Sequence, residues 1–154
     1  MNIDAPVEVH LKSVIFFTEK GRAVILLEGL NGEWGLPILA RASEAILIAR
    51  FLGIQKPPRP SSHDLLAGII DTLKARILHV LIDILEGSLC HGIISLDIQG
   101  REKDFDSRPS DAIALALSSH VPIFVSSAVV AQGAVFYSDG LDTNEWEGKA
   151  RLEN

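Results

Sequence analysis

Residues 106–116, Asp-Ser-Arg-Pro-Ser-Asp-Ala-Ile-Ala-Leu-Ala, constrain this chain more than any other segment. The Arg-Pro-Ser-Asp within them reads as a helix start. Proline suits the first helical position, where its missing N–H would have had no partner. An acidic residue in the first turn is favoured by the helix dipole, by ~0.3–1 kcal/mol. A fainter copy lies at residues 41–49. With a shift of 67 positions, five of nine aligned residues are identical: Arg41/Arg108, Ser43/Ser110, Ala45/Ala112, Ile46/Ile113 and Ala49/Ala116. Glu44/Asp111 and Ile48/Leu115 keep their chemical type. Arg59-Pro60-Ser61 is a third, shorter echo. Each copy places a cation and a hydroxyl at a helix N-terminus, an arrangement suited to holding an anion.

The hydropathy pattern around these starts predicts strands over residues 7–17, 23–28 and 34–39, then a helix over 43–52 that stops at Gly53. A proline-rich loop leads to a second helix, from Ser61 or Ser62 to about Lys74. Its Leu65, Leu66, Ile69, Ile70 and Leu73 fall on one face and are expected to meet the core. The second half repeats the plan, with strands over 76–85, 89–99 and 102–106 and a helix over 109–119. A short strand follows at 121–125, where Pro122 favours the first residues or an edge, and then a short helix capped by Ser126 or Ser127. The pattern predicts an α+β fold: a mixed β-sheet with packed helices and internal duplication of a β-β-β-α unit. One domain is expected over residues 1–135, with an acidic C-terminal tail over 136–154.

A chain of 154 residues buries enough surface for a core without staples. Its single cysteine, Cys90, excludes an internal disulfide and a cysteine-based zinc site, and reads as a small buried hydrophobe. The N-terminus lacks a basic stretch followed by an apolar run, and no apolar run approaches the ~20 residues that span a bilayer. A cytoplasmic location without a membrane partner is therefore expected. The net charge of -6 argues against a bulk nucleic-acid binder but leaves room for a local basic cleft.

Two segments carry the candidate chemistry. In the first, Arg108 can fork onto a phosphate through two parallel hydrogen bonds, with the Ser110 hydroxyl beside it. Asp111 suits a metal ligand or a base, or is simply a first-turn acid, and Arg108 also suits an ion pair with Asp106 or Asp111. Asp104 and Asp106 alternate around Phe105, so they share one face of a strand while Phe105 is expected to point to the core. Paired carboxylates can hold Mg²⁺ or Mn²⁺, which makes Asp104, Asp106 and Asp111 the metal-ligand candidates. In the second segment a rigid loop delivers Arg59, Ser62, His63 and Asp64 to one helix start. His63 is suited to moving a proton near neutral pH. Neighbours on a helix diverge by ~100°, so Asp64 is poorly placed to orient it and Asp106 or Asp111 is better placed. No His-x-x-x-His, glycine-rich phosphate loop or Gly-x-Ser-x-Gly is present.

The two motifs, Arg59-Pro60-Ser61-Ser62-His63-Asp64-Leu65-Leu66 and residues 106–116, resemble those of the bifunctional nuclease (BFN) domain family. Weaker agreement covers Leu36-Pro37-Ile38, Glu44-Ala45 and residues 122–125, and the similar region spans about residues 9–130. Ser62 stands where the family commonly has threonine. The resemblance implies a nuclease acting on DNA and RNA, so that nucleic acid would be the substrate. On that reading Arg59, Ser62, Arg108 and Ser110 bind substrate, and His63, Asp64, Asp106 and Asp111 are catalytic, with Mg²⁺ or Mn²⁺ supplying hydroxide. The alternative is a non-catalytic module that binds an anionic small molecule or a partner protein through the same helix starts. A homodimer is also expected. Convergence of the two motifs in one cleft favours the enzyme.

Overall fold

Three β-branched, apolar runs form an antiparallel meander: β1 (Val7–Phe17), β2 (Arg22–Gly29) and β3 (Trp34–Arg41). The computed structural model describes residues 5–17, 20–54, 58–86 and 89–137. Helix α1 (Ala42–Ala49) follows at once and tightens into a 3-10 turn (Arg50–Leu52) that ends at Gly53. Gly53 has φ of 79°, the left-handed conformation that glycine takes without a Cβ penalty. Then come α2 (Ser62–Thr72), a second meander of β4 (Ala75–Glu86), β5 (Leu89–Ile98) and β6 (Arg101–Ser107), and helix α3 (Pro109–Ser119). The chain closes with β7 (Ile123–Val125), α4 (Ser127–Gly133) and β8 (Val135–Phe136).

The eight strands form one sheet in the order β6-β5-β4-β7-β1-β2-β3-β8. Only β4 and β7 pair in parallel, so the sheet is mixed and the fold is α+β. The β-β-β-α order occurs twice, and the two meanders run outward from β7 in opposite directions. Short β7 is thus central. Pro122 falls just before it, so no ladder donor is lost, and the Pro122 carbonyl accepts from Val80 N at 3.1 Å. Ile123 and Val125 are then free to be buried on the helix side.

Strand alternation places the core. Ala23, Ile25 and Leu27 of β2, Leu36, Ile38 and Ala40 of β3, and Val80 and Ile82 of β4 pack with Ile48 of α1 and Ala112–Ala116 of α3. Helix α2 departs from expectation. Ala67 and Ile70 pack against this core, but Leu65, Leu66, Ile69 and Leu73 are 63%, 44%, 47% and 71% exposed. No residue of α2 is buried, because its contacts with α3 and β4 engage one narrow side only. Phe105 is likewise 40% exposed rather than in the core, because β6 is the edge strand and no helix covers its outer end.

Candidate functional site

Three helix starts meet through their first-turn side chains. Arg108, which immediately precedes α3, is the hub. Its Nε donates to Asp111 Oδ2 at 2.8 Å, its Nη2 to Asp111 Oδ1 at 3.2 Å and its Nη1 to Glu44 Oε1 at 2.5 Å. Glu44, in the first turn of α1, also accepts from Ser110 Oγ at 3.0 Å and from Arg41 N at 3.3 Å. His63, in the first turn of α2, sets Nε2 3.1 Å from Asp111 Oδ1. His63, Arg108, Ser110 and Asp111 therefore come together as the sequence suggests. Glu44 joins them from the fainter copy of the motif. Burial pushes the Asp111 carboxyl up, but hydrogen bonds from Arg108 and His63 outweigh it and hold the group below the usual carboxylate range. The Arg108 guanidinium is raised, chiefly by its bonds to Asp111.

Arg108, Ser110 and Glu44 open on a cleft of about 620 Å³ between β3, the β4–β5 hairpin and the start of α3. Its floor is apolar, with Leu36, Ile38, Ile84 and Val129, and half-buried Cys90 lies on one wall. Among the described residues its charged lining is Arg22, Arg41, Arg108 and Glu44, three cations against one anion. The described lining is thus net positive in a chain of net charge -6. Of the five N–H donors of Arg108, three are engaged and two have no partner among the described residues. With 58% of the side chain exposed, those two can meet an oxyanion.

The other candidates lie elsewhere. Asp64 is a structural group: its two oxygens take Nη1 and Nη2 of Arg50 at 2.6 Å each, and it closes a capping box with Ser61. The Arg50 hydrogen bonds hold its carboxyl far below the ordinary range. Asp104 and Asp106 share a face, but it is the face of the sheet opposite α3. Gly92, Ile94 and Leu96 of β5 face the helix and pair with Ser107, Phe105 and Lys103. The intervening Asp106 and Asp104 point away and bond His91 Nδ1 and Ser95 Oγ, each at 2.6 Å. Asp104, Asp106 and Asp111 thus cannot share one cation. Among the described residues no group of three or more His, Cys, Asp or Glu side chains is placed to hold a metal ion. Arg59 and Ser62 are exposed, and Arg59 makes no ion pair with a described residue. Sequence reasoning passed over Arg22 and Arg50, and it read Arg41 as the cation of the fainter helix start without placing it among the site residues. The signal for Arg41 was present, since it and Glu44 are the shifted counterparts of Arg108 and Asp111.

Gly92 sets the height of this site above the sheet. A Cβ there would lie 2.6 Å from Ala112 Cβ, 2.8 Å from Ser107 Oγ and 3.0 Å from the Arg108 carbonyl oxygen. Gly92→Ala is expected to lift the start of α3 and destabilise the fold by about 1–3 kcal/mol, the usual cost of overpacking. Urea denaturation read by circular dichroism checks this, and an unchanged midpoint would contradict it.

The fold and the site define an α+β domain with a cleft, lined by Arg22, Arg41, Arg108 and Glu44, at converging helix starts. The model of the bifunctional nuclease domain matches residues 24–138, and the chain belongs to that family. It is similar to two Mycobacterium tuberculosis proteins, uncharacterized protein MT1877 of strain CDC 1551 / Oshkosh and uncharacterized protein Rv1829 of strain ATCC 25618 / H37Rv. Each is 35% identical over 136 residues, covering 88% of this chain and 80% of the relative.

Proposed function

We propose that this chain hydrolyses phosphodiester bonds of DNA or RNA in the cleft lined by Arg22, Arg41 and Arg108. The observation that carries the reading is the sign of that lining, net positive in an acidic chain. Such a cleft concentrates anions and stabilises the charge that builds on phosphate oxygens during displacement. The converging starts of α1 and α3 add their dipoles there, and family membership supports the reaction class. Arg108 binds the phosphate through its two remaining donors, Ser110 holds Glu44 in place, and Glu44 is the carboxylate nearest the substrate. His63 is a positioning residue: Nε2 faces Asp111, and buried Nδ1 has no hydrogen-bond partner among the described residues. The work is assigned to the cytoplasm; no helix among the described residues is long and apolar enough to cross a membrane.

One observation favours a second reading, an anion-binding module without catalysis. Every carboxylate oxygen of Glu44 and Asp111 is already engaged, leaving no unoccupied base beside the phosphate position. End-labelled single- and double-stranded DNA and RNA oligonucleotides, incubated with and without a chelator, separate the two. Cleavage supports the enzyme. Binding without cleavage under every condition supports the module.

A further inference from the structure

We infer that the face of β6 carrying Arg101, Lys103 and Phe105 is a track for a single nucleic-acid strand, with Phe105 as the platform on which a base stacks. The inference rests on the reading of the cleft as a nucleic-acid phosphate site and deepens it, by naming the strand state of the substrate and the path it takes. The cleft itself has no means of gripping a base. Among the described residues its lining has no aromatic side chain, whereas proteins that bind single strands stack bases on aromatic rings beside a basic groove. Edge strand β6 supplies both and leads to the cleft. It is exposed from Arg101 to Asp106, and the residue that follows it is Arg108. Alternation sorts its charges. Arg101, Lys103 and Phe105 lie opposite Ile98, Leu96 and Ile94 of β5 and share their face, and Glu102, Asp104 and Asp106 take the other. Neither Arg101 nor Lys103 makes an ion pair with a described residue, so both charges are open to phosphate. Phe105 is 40% exposed although its neighbour Ile94 is buried. Lys103 Nζ stands 5.4 Å from the centre of the Phe105 ring. A cation held there meets the phosphate of a base that stacks on that ring.

The sorting of charge selects the occupant. A duplex stacks and pairs its bases, so it offers Phe105 no open base face. Lying across an edge strand, it would also meet the three carboxylates on the far face, of which Asp106 is 76% exposed. A single strand can follow one face, and its bases turn outward without breaking pairs. Alternate side chains stand ~6.8 Å apart along a strand, twice the ~3.4 Å rise of a stacked nucleotide, so a base fits between successive contacts. An acidic peptide would satisfy the two cations but gain nothing specific from the ring. Because β6 runs directly into Arg108, a strand laid along it brings its next phosphate to the two remaining donors of that guanidinium.

The test is fluorescence anisotropy of the full chain with a labelled oligonucleotide of about 12 nucleotides, single-stranded or annealed to its complement, at several salt concentrations. The single strand is expected to bind wild type at least tenfold tighter than the duplex. Phe105→Ala should weaken that binding about tenfold with unchanged circular dichroism, and Phe105→Trp should restore it. Lys103→Ala should lower the salt slope of the binding constant by about 0.7, one phosphate contact on a single strand, and it decides the matter if Phe105→Ala does not fold. Cleavage assayed on the same samples separates this inference from the nuclease reading. Binding that depends on Phe105, without cleavage by any of the proteins, supports the track and contradicts the nuclease. Cleavage by wild type, with Phe105→Ala and Lys103→Ala binding as wild type does, supports the nuclease and overturns the track. A wild type that binds no single strand, that prefers the duplex, or that yields its strand to polyglutamate as readily as to unlabelled strand would also overturn the inference.

Discussion

Replacing Arg108 with alanine is expected to lower the rate of phosphodiester cleavage about 100-fold, because each charge-assisted hydrogen bond to phosphate is worth ~1.5–3 kcal/mol and ~1.4 kcal/mol is a factor of ten. The effect has two sources. The substitution removes the two donors that face the cleft, and it strips Glu44 and Asp111 of their shared counter-charge. The lining then falls from three cations to two against the same anion. The loss should appear at every pH where the carboxylates are ionised, since arginine stays protonated throughout. Stability should change little, because the side chain is more than half exposed and surface ion pairs contribute ~0–1 kcal/mol. Initial rates with saturating and limiting oligonucleotide, together with a melting curve, check both halves of the expectation. A variant as active as wild type would remove Arg108 from the site.

Asp64→Asn has the opposite profile: a large loss of stability from a residue outside the cleft. Arg50 is 11% exposed and spends both terminal nitrogens on Asp64, with Nη2 also reaching Ser118 Oγ at 3.1 Å. The pair ties the 3-10 turn after α1 to the start of α2 and the end of α3. Asparagine keeps the shape and the acceptor for the cap but leaves a mostly buried cation without its anion. Breaking such a pair costs about 3 kcal/mol. For a domain of this size that is a fall of roughly 6–12 °C in Tm. The pH dependence follows from the sign of the shift. The Asp64 carboxyl is depressed in the folded state, so its contribution is fully present above the unfolded aspartate value of ~3.9 and is lost as pH falls through the folded value. Asp111, also depressed, adds to the same acid limb. The gap between wild type and Asp64→Asn should therefore be constant from pH 7 to about 5 and close below about pH 4. A gap that widened on acidification would contradict this assignment.

The strands and helices of both halves were legible because alternation and helical spacing are local signals. The sequence marks α3 by Pro109 and Asp111, and the structure starts it there. The placement of side chains across the sheet was less legible. Asp106 and Arg108 are two residues apart, and only the position of β6 at the edge and the register Gly92↔Ser107 put Asp106 on the face away from Asp111. Helix α2 misled for a related reason. Its spacing announced an apolar face correctly, but spacing carries no information on which neighbour covers that face. The cleft was legible only through the repeat: Arg41 and Glu44 hold the positions of Arg108 and Asp111. Arg22 sits opposite Arg41 across the β2–β3 pair, a register that a single strand does not reveal. Residues 87 and 88, between the strands expected over 76–85 and 89–99, and all but Phe136 and Tyr137 of the tail expected over 136–154 lie outside the described residues.

The most direct measurement is cleavage of a labelled oligonucleotide by wild type, Arg41→Ala and Arg108→Ala purified side by side. The cleft reading predicts turnover by wild type that falls at least tenfold in each variant while all three melt alike. Equal cleavage by all three, or none by a wild type that still binds the oligonucleotide, would contradict it.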